Sequence, residues 1–246
     1  MTHPFDIELE TILPATPEQV WEAIATGPGT DSWFMGRNEV EPREGGTTVM
    51  DTGGHREEAE ITAYEPGKRF ATRTPTAEDG RFMALEYLIE GRDGGSTVLR
   101  VVHSGMLGDD WQDEYDALRR GWPFHLHTLR EYLTHFPGRT AAPVFAVVAR
   151  PDGPPARQIR AAITRGLSLP TPVTAGARAH AAPAGLPPLE GEVVWADDER
   201  IGIRTADGLY TFHNADGLAL MFHHLFGPDT DGAEAAWQKW LAELLG

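Results

Sequence analysis

Apolar and polar positions alternate from the start of the chain. Phe5, Ile7, Leu9 and Thr11 fall on one side, and Asp6, Glu8 and Glu10 on the other. That is the period of a strand with one buried face. The stretch A-T-P-E-Q-V-W-E-A-I then predicts a short helix, with Thr16 as N-cap, Pro17 at the first helical position and Val20, Trp21 and Ile24 on the apolar side. Gly27, Pro28 and Gly29 should stop it, leaving Trp33 and Phe34 in a short helical or loop segment. A meander of strands follows over 41–50, 57–64, 69–74, 82–90 and 97–103. Gly45-Gly46, Gly53-Gly54, Pro66-Gly67, Asp79-Gly80 and Asp93-Gly94-Gly95 supply its turns. Met83, Leu85, Tyr87 and Ile89 should point inward, and Thr97, Leu99, Val101 and His103 share one face of the last strand.

After that strand the period changes. Trp111, Tyr115, Leu118, Trp122, Leu126, Leu129 and Leu133 form one stripe of a long helix, starting near Asp109 or Asp110 and ending around Pro137-Gly138. Pro123 removes one helical hydrogen bond and predicts a kink near Gly121 and Trp122. Short connections favour antiparallel pairing. The expected fold over 1–138 is α+β: a curved antiparallel sheet wrapped around a long final helix.

The second half changes character. Residues 139–178 carry six arginines against one acid, in a stretch rich in Pro, Ala and Gly. A flexible linker is one reading. Yet Val144 to Val148 reads as a strand, and P-P-A-R-Q-I-R-A-A-I-T-R-G as a Pro-initiated helix closed by Gly166. Further strand candidates lie at 192–195, 201–205, 209–213 and 218–226. Ala233, Ala236, Trp237, Trp240, Leu241 and Leu244 then recur at helical spacing. The order echoes the first half, so residues 139–246 are expected to form a second, shortened unit of the same plan. The alternative is a linker followed by an unrelated small α+β tail.

Charge and composition narrow the function. The 246 residues carry a formal charge of −16, which disfavours nucleic acid and anionic membrane surfaces as partners. With no cysteine, disulfides, thiolate metal sites and cysteine nucleophiles are excluded. The first residues show neither the basic region nor the apolar run of a signal peptide, and no apolar stretch is long enough for a membrane span. A cytoplasmic protein is the expectation.

Several chemistries fail on spacing. His125 and His127 are two apart on a helix and do not share a face, and His223 and His224 alternate on a strand, so no metal site is expected. None of the four serines, Ser32, Ser96, Ser104 and Ser168, sits in a nucleophile elbow. No phosphate-loop or calcium-loop pattern appears. No catalytic residue and no cofactor are assigned.

The strand, the Pro-initiated helix, the W-F segment, the G-G-T-T strand, the Y-E-P-G-K-R-F turn, T-x-L-x-V-x-H-S-G and G-W-x-x-x-L-x-x-L occur in this order. Together they resemble the SRPBCC superfamily, and within it the branch named after the activator of heat-shock-protein-90 ATPase. The resemblance covers Phe5 to about Phe136 and departs from the usual pattern at Pro123. It implies the START-like, helix-grip fold and three kinds of function: a binder of a small hydrophobic ligand, a chaperone-regulating interaction protein, or a cyclase or hydrolase working in the cavity. A sheet wrapped around a helix can leave an apolar pocket, a usual place for a ligand. The candidate lining is Trp33, Phe34, Phe70, Tyr87, His103, Trp111, Tyr115 and Trp122, with His103 its polar member.

Overall fold

The computed structural model describes residues 1–150, 152–183, 185–228 and 230–246. The chain divides into two compact units, Met1–Thr140 and Ala141–Gly246. Both are α+β, each built on one antiparallel sheet.

In the first unit, β1 (His3–Leu13) leads into α1 (Pro17–Ala25) and α2 (Gly27–Thr30). Then come β2 (Arg37–Val40), β3 (Thr47–Asp51), β4 (Arg56–Glu65), β5 (Arg69–Arg73), β6 (Phe82–Arg92) and β7 (Ser96–Leu107), closed by α3 (Trp111–His135). The sheet order is β1-β7-β6-β5-β4-β3-β2, a meander whose last strand returns beside the first. The α1 N-terminus is a full capping box. The Thr16 hydroxyl accepts from the Gln19 N–H, and Gln19 Oε1 accepts from the Thr16 N–H.

α1 stops at Ala25 as expected, with Thr26 extended, and the Thr26 hydroxyl then accepts from the Gly29 N–H to cap the short α2. One local expectation needs correction. Glu41–Met50 is not one strand. Glu41 to Gly46 turn between β2 and β3, and β2 itself lies in a stretch with no strand-like alternation. The helix α3 continues on both sides of Pro123 as one element. Pro123 and Arg119 are both exposed, so water can solvate the carbonyl that loses its partner.

The second unit contains β8 (Ala142–Ala149), α4 (Ala156–Gly166), β9 (Arg178–Ala181), β10 (Leu189–Ala196), β11 (Arg200–Thr205), β12 (Gly208–Ala215), β13 (Leu218–Leu225) and α5 (Ala233–Leu245). Its sheet order is β8-β13-β12-β11-β10-β9. This is the plan of the first unit with one strand fewer, a first strand returned to by the end of a meander and a closing helix. Ile159 and Ile163 of α4 and Trp237, Trp240 and Leu241 of α5 pack with Phe212, Met221, Ile203 and Val193 of the sheet in one apolar core. Among the described residues, no helix is long and apolar enough to cross a membrane.

Candidate functional site

The register of the first sheet sets the site. Leu85 pairs with Thr72 on one side and with His103 on the other. In the neighbouring row Tyr87 pairs with Phe70 and Val101. Because side chains alternate across a strand, Phe70, Thr72, Leu85, Tyr87 and His103 share one face. Beyond them β3 and β4 add Thr48, Met50, Glu57 and Ala59, and β2 adds Asn38 and Val40. These positions line a cavity of about 290 Å³, closed from the helical side by Ile24, Phe34, Leu118 and Trp122.

Trp122 is the centre of the aromatic wall. Its ring lies 6.0 Å from Phe34, 6.3 Å from Tyr87 and 5.8 Å from His103. Its indole N–H donates to Nδ1 of His103 at 3.0 Å. An indole nitrogen is only ever a donor, so Nδ1 must be unprotonated and the imidazole proton sits on Nε2. Burial drives the His103 pKa down to about 4, because the cation loses hydration that nothing nearby replaces. At neutral pH the ring is therefore an uncharged donor on the cavity wall. Tyr87 is 5 % exposed, and its hydroxyl makes no hydrogen bond among the described residues. Burial pushes its pKa up, so it also stays neutral.

The sequence-derived residues divide. Phe34, Phe70, Tyr87, His103 and Trp122 line the cavity, and Trp33, Trp111 and Tyr115 do not. Trp33 is 1 % exposed and donates its indole N–H to the Ala23 carbonyl at 2.8 Å, a core contact. Trp111 stacks on His3 at 5.3 Å. Tyr115 lies in the first ten residues of α3, none of which is buried. Glu57, Asn38, Thr72 and Met50 were missed. For Glu57 a signal existed, since it has the same parity as Ala59 and the fully buried Ile61.

The histidine pairs settle into other roles. His125 packs on Phe34 at 4.7 Å, while His127 Nε2 lies 3.9 Å from Glu131 of the same helix. His223 is wholly enclosed beside Trp237. Among the described residues, no three His, Asp or Glu side chains converge as a metal-binding group.

Comparison with known proteins places this geometry. Residues 14–134 match the family described as activator of Hsp90 ATPase homolog 1-like protein. No curated protein sequence matches the chain. Among solved structures, protein MLL2253 from Mesorhizobium loti is 22 % identical, covering 54 % of this chain and 98 % of its own, with a TM-score of 0.48. The Aha1 dimer from Colwellia psychrerythraea is 19 % identical, covering 52 % and 96 %, with a TM-score of 0.44. DynU16, from the dynemicin biosynthetic locus, is 17 % identical but covers 98 % of this chain and 95 % of its own, with a TM-score of 0.46. The family match spans α1 to α3, all the elements that wall the cavity, so it is the first unit that is similar to the activator of Hsp90 ATPase homolog 1-like family.

Proposed function

We propose that the first unit is a non-catalytic receptor for a compact apolar small molecule, held between the first sheet and α3. One observation carries this reading: an aromatic-walled space of about 290 Å³ meets two neutral polar groups, His103 and Tyr87, each left with a free hydrogen-bonding atom. Ligand sites combine these features, an apolar concavity and a few fixed polar atoms. A core evolved for stability alone would fill such a space, because interiors pack as densely as organic crystals.

Titrating the full chain with the neutral fluorophore N-phenyl-1-naphthylamine tests it. Saturable binding with quenching of Trp emission is expected. Trp122→Ala should weaken it about tenfold or more, the loss of a large aromatic contact. Ala59→Phe places a ring in the space and should abolish binding while the circular dichroism spectrum is retained. Absence of saturable binding to the unmodified chain would sink the proposal.

The family description supports a second reading, a chaperone-directed interaction. Stimulation of an Hsp90 ATPase by the full chain, undiminished by Ala59→Phe, would favour that reading over the first.

A further inference from the structure

We infer that the cavity of the first unit selects a positively charged ligand, a compact apolar amine, over an acid of the same shape. The inference rests on the ligand-binding reading above and names the chemical class of its ligand.

Three independent features of the wall agree. The first is the absence of cations, since no Lys or Arg is among the residues that line the space. His103 does not substitute for one. Its Nδ1 is occupied by the Trp122 indole, and a second proton there would meet another donor head-on.

The second feature is Glu57. It faces the cavity from β4, in a cross-strand row with Met50 of β3 and Asn38 of β2. It is half-buried, and it makes no ion pair or hydrogen bond among the described residues. On the outer face of the same sheet, carboxylates are either exposed to water, as Glu8, Glu60 and Glu90 are, or bridged by an arginine. Glu58 is bridged by Arg56 at 3.1 Å, Glu86 by Arg69, and Glu10 by Arg100 at 3.2 Å. A carboxylate on the cavity side carries a negative charge that no cation of the wall neutralises. A ligand ammonium would supply the missing charge, whereas a ligand carboxylate would add a like charge.

The third is the aromatic wall. Phe34, Phe70, Tyr87 and Trp122 line the space, and a ring face offered to a ligand attracts an ammonium and repels an anion through its negative quadrupole. The buried Tyr87 hydroxyl, unpaired and protonated, can accept from an N–H or donate to a carboxylate and so does not discriminate between them. The wider field has the same sign. Residues 1–140 hold 25 of the chain's 37 acidic residues but only 13 of its 21 basic ones. Such a field raises the local concentration of cations.

The test compares three ligands of one shape, 1-adamantanamine, 1-adamantanol and adamantane-1-carboxylate, by calorimetric titration of the full chain at pH 7 and 0.15 M salt. At that ionic strength charges more than about 8 Å apart are largely screened, which suppresses loose attraction to the surface. The Trp122 indole N–H resonance reports whether the ligand sits in the cavity. The amine is expected to bind tightest and about tenfold or more above the acid, with the indole resonance shifted. Glu57→Gln should narrow the ratio of amine to alcohol binding. An alcohol or acid that binds as well as the amine overturns the charge inference and leaves the receptor reading standing. An amine preference unchanged by Glu57→Gln, or present without any shift at Trp122, also overturns it. Failure of all three ligands to bind counts against the receptor reading itself.

Discussion

Trp122 and His103 are joined by a 3.0 Å hydrogen bond in which the indole is the donor, and this contact fixes the tautomer of an imidazole that burial keeps uncharged. The second unit repeats the residue types but not the contact. His223 lies on β13, the last strand of its meander, with the Trp237 ring of the closing helix 4.5 Å away. There Nδ1 accepts from the Thr211 backbone N–H at 3.2 Å, and Nε2 has no hydrogen-bond partner among the described residues. Tyr210, Phe212 and Trp237 surround the ring. The first unit keeps open space beside its histidine, whereas the second encloses its own completely.

Both histidines make the fold sensitive to acid. Burial lowers the folded-state pKa to about 4 for His103 and about 3 for His223, against about 6.5 in an unfolded chain. Below pH 6.5 the unfolded chain takes up protons that the folded chain refuses, so stability falls with pH. The slope approaches about 1.4 kcal/mol per pH unit for each histidine. The loss from His103 ends near pH 4 and that from His223 near pH 3, and above pH 7 neither contributes. Asp31, raised by its own burial, acts with the opposite sign at the acid end. Urea unfolding at pH 7.5, 6.0 and 5.0 should therefore show falling midpoints, and His223→Phe should flatten the trend. Equal midpoints across this range would contradict the burial of both rings.

Part of this was legible in the chain and part was not. The inward positions of β6 and β7 follow from simple alternation, which is how Tyr87 and His103 came to one wall. Trp122 followed from the stripe of α3. Trp111 and Tyr115 share that stripe, but a stripe gives direction around the helix, not how far along it the sheet reaches. Trp33 and Phe34 are adjacent, and no period tells which of them enters the cavity. The answer lies in a long-range bond from the Trp33 indole to the Ala23 carbonyl. Glu57 was passed over because a glutamate in a strand is read as outward by default. Its parity with Ile61 says otherwise.

Gly166 ends α4 against the closing helix of the second unit. A Cβ added there would lie 2.8 Å from the Trp240 ring and 2.9 Å from Leu244 Cδ1. Trp240 is buried among rings and has little room to yield. Gly166→Ala should cost about 1–3 kcal/mol by overpacking, although alanine is the better helix former by about 1 kcal/mol. Trp240→Ala alone should cost about 3–5 kcal/mol. The double variant should lose less than the sum, since removing the indole removes the clash. Strict additivity in urea unfolding would mean that the two residues do not press on each other.

Gln238 does for β8 what a neighbouring strand would do. Its Nε2 donates to the Val147 carbonyl at 2.8 Å, and its Oε1 accepts from the Val147 N–H at 2.9 Å. β8 ends the order of its sheet, so this backbone would otherwise be an open edge that invites pairing with another chain. Gln238→Ala deletes both bonds and should cost about 1–3 kcal/mol, with some self-association visible by light scattering. Gln238→Glu is nearly the same shape but retains only the acceptor. Its carboxylate would face the Val147 carbonyl oxygen, so at pH 7 it should be at least as destabilising as alanine. Below about pH 4 the protonated acid can donate again, and part of the loss should return relative to the alanine variant. A Gln238→Glu protein as stable as the parent at pH 7 would show that the amide does not hold this edge.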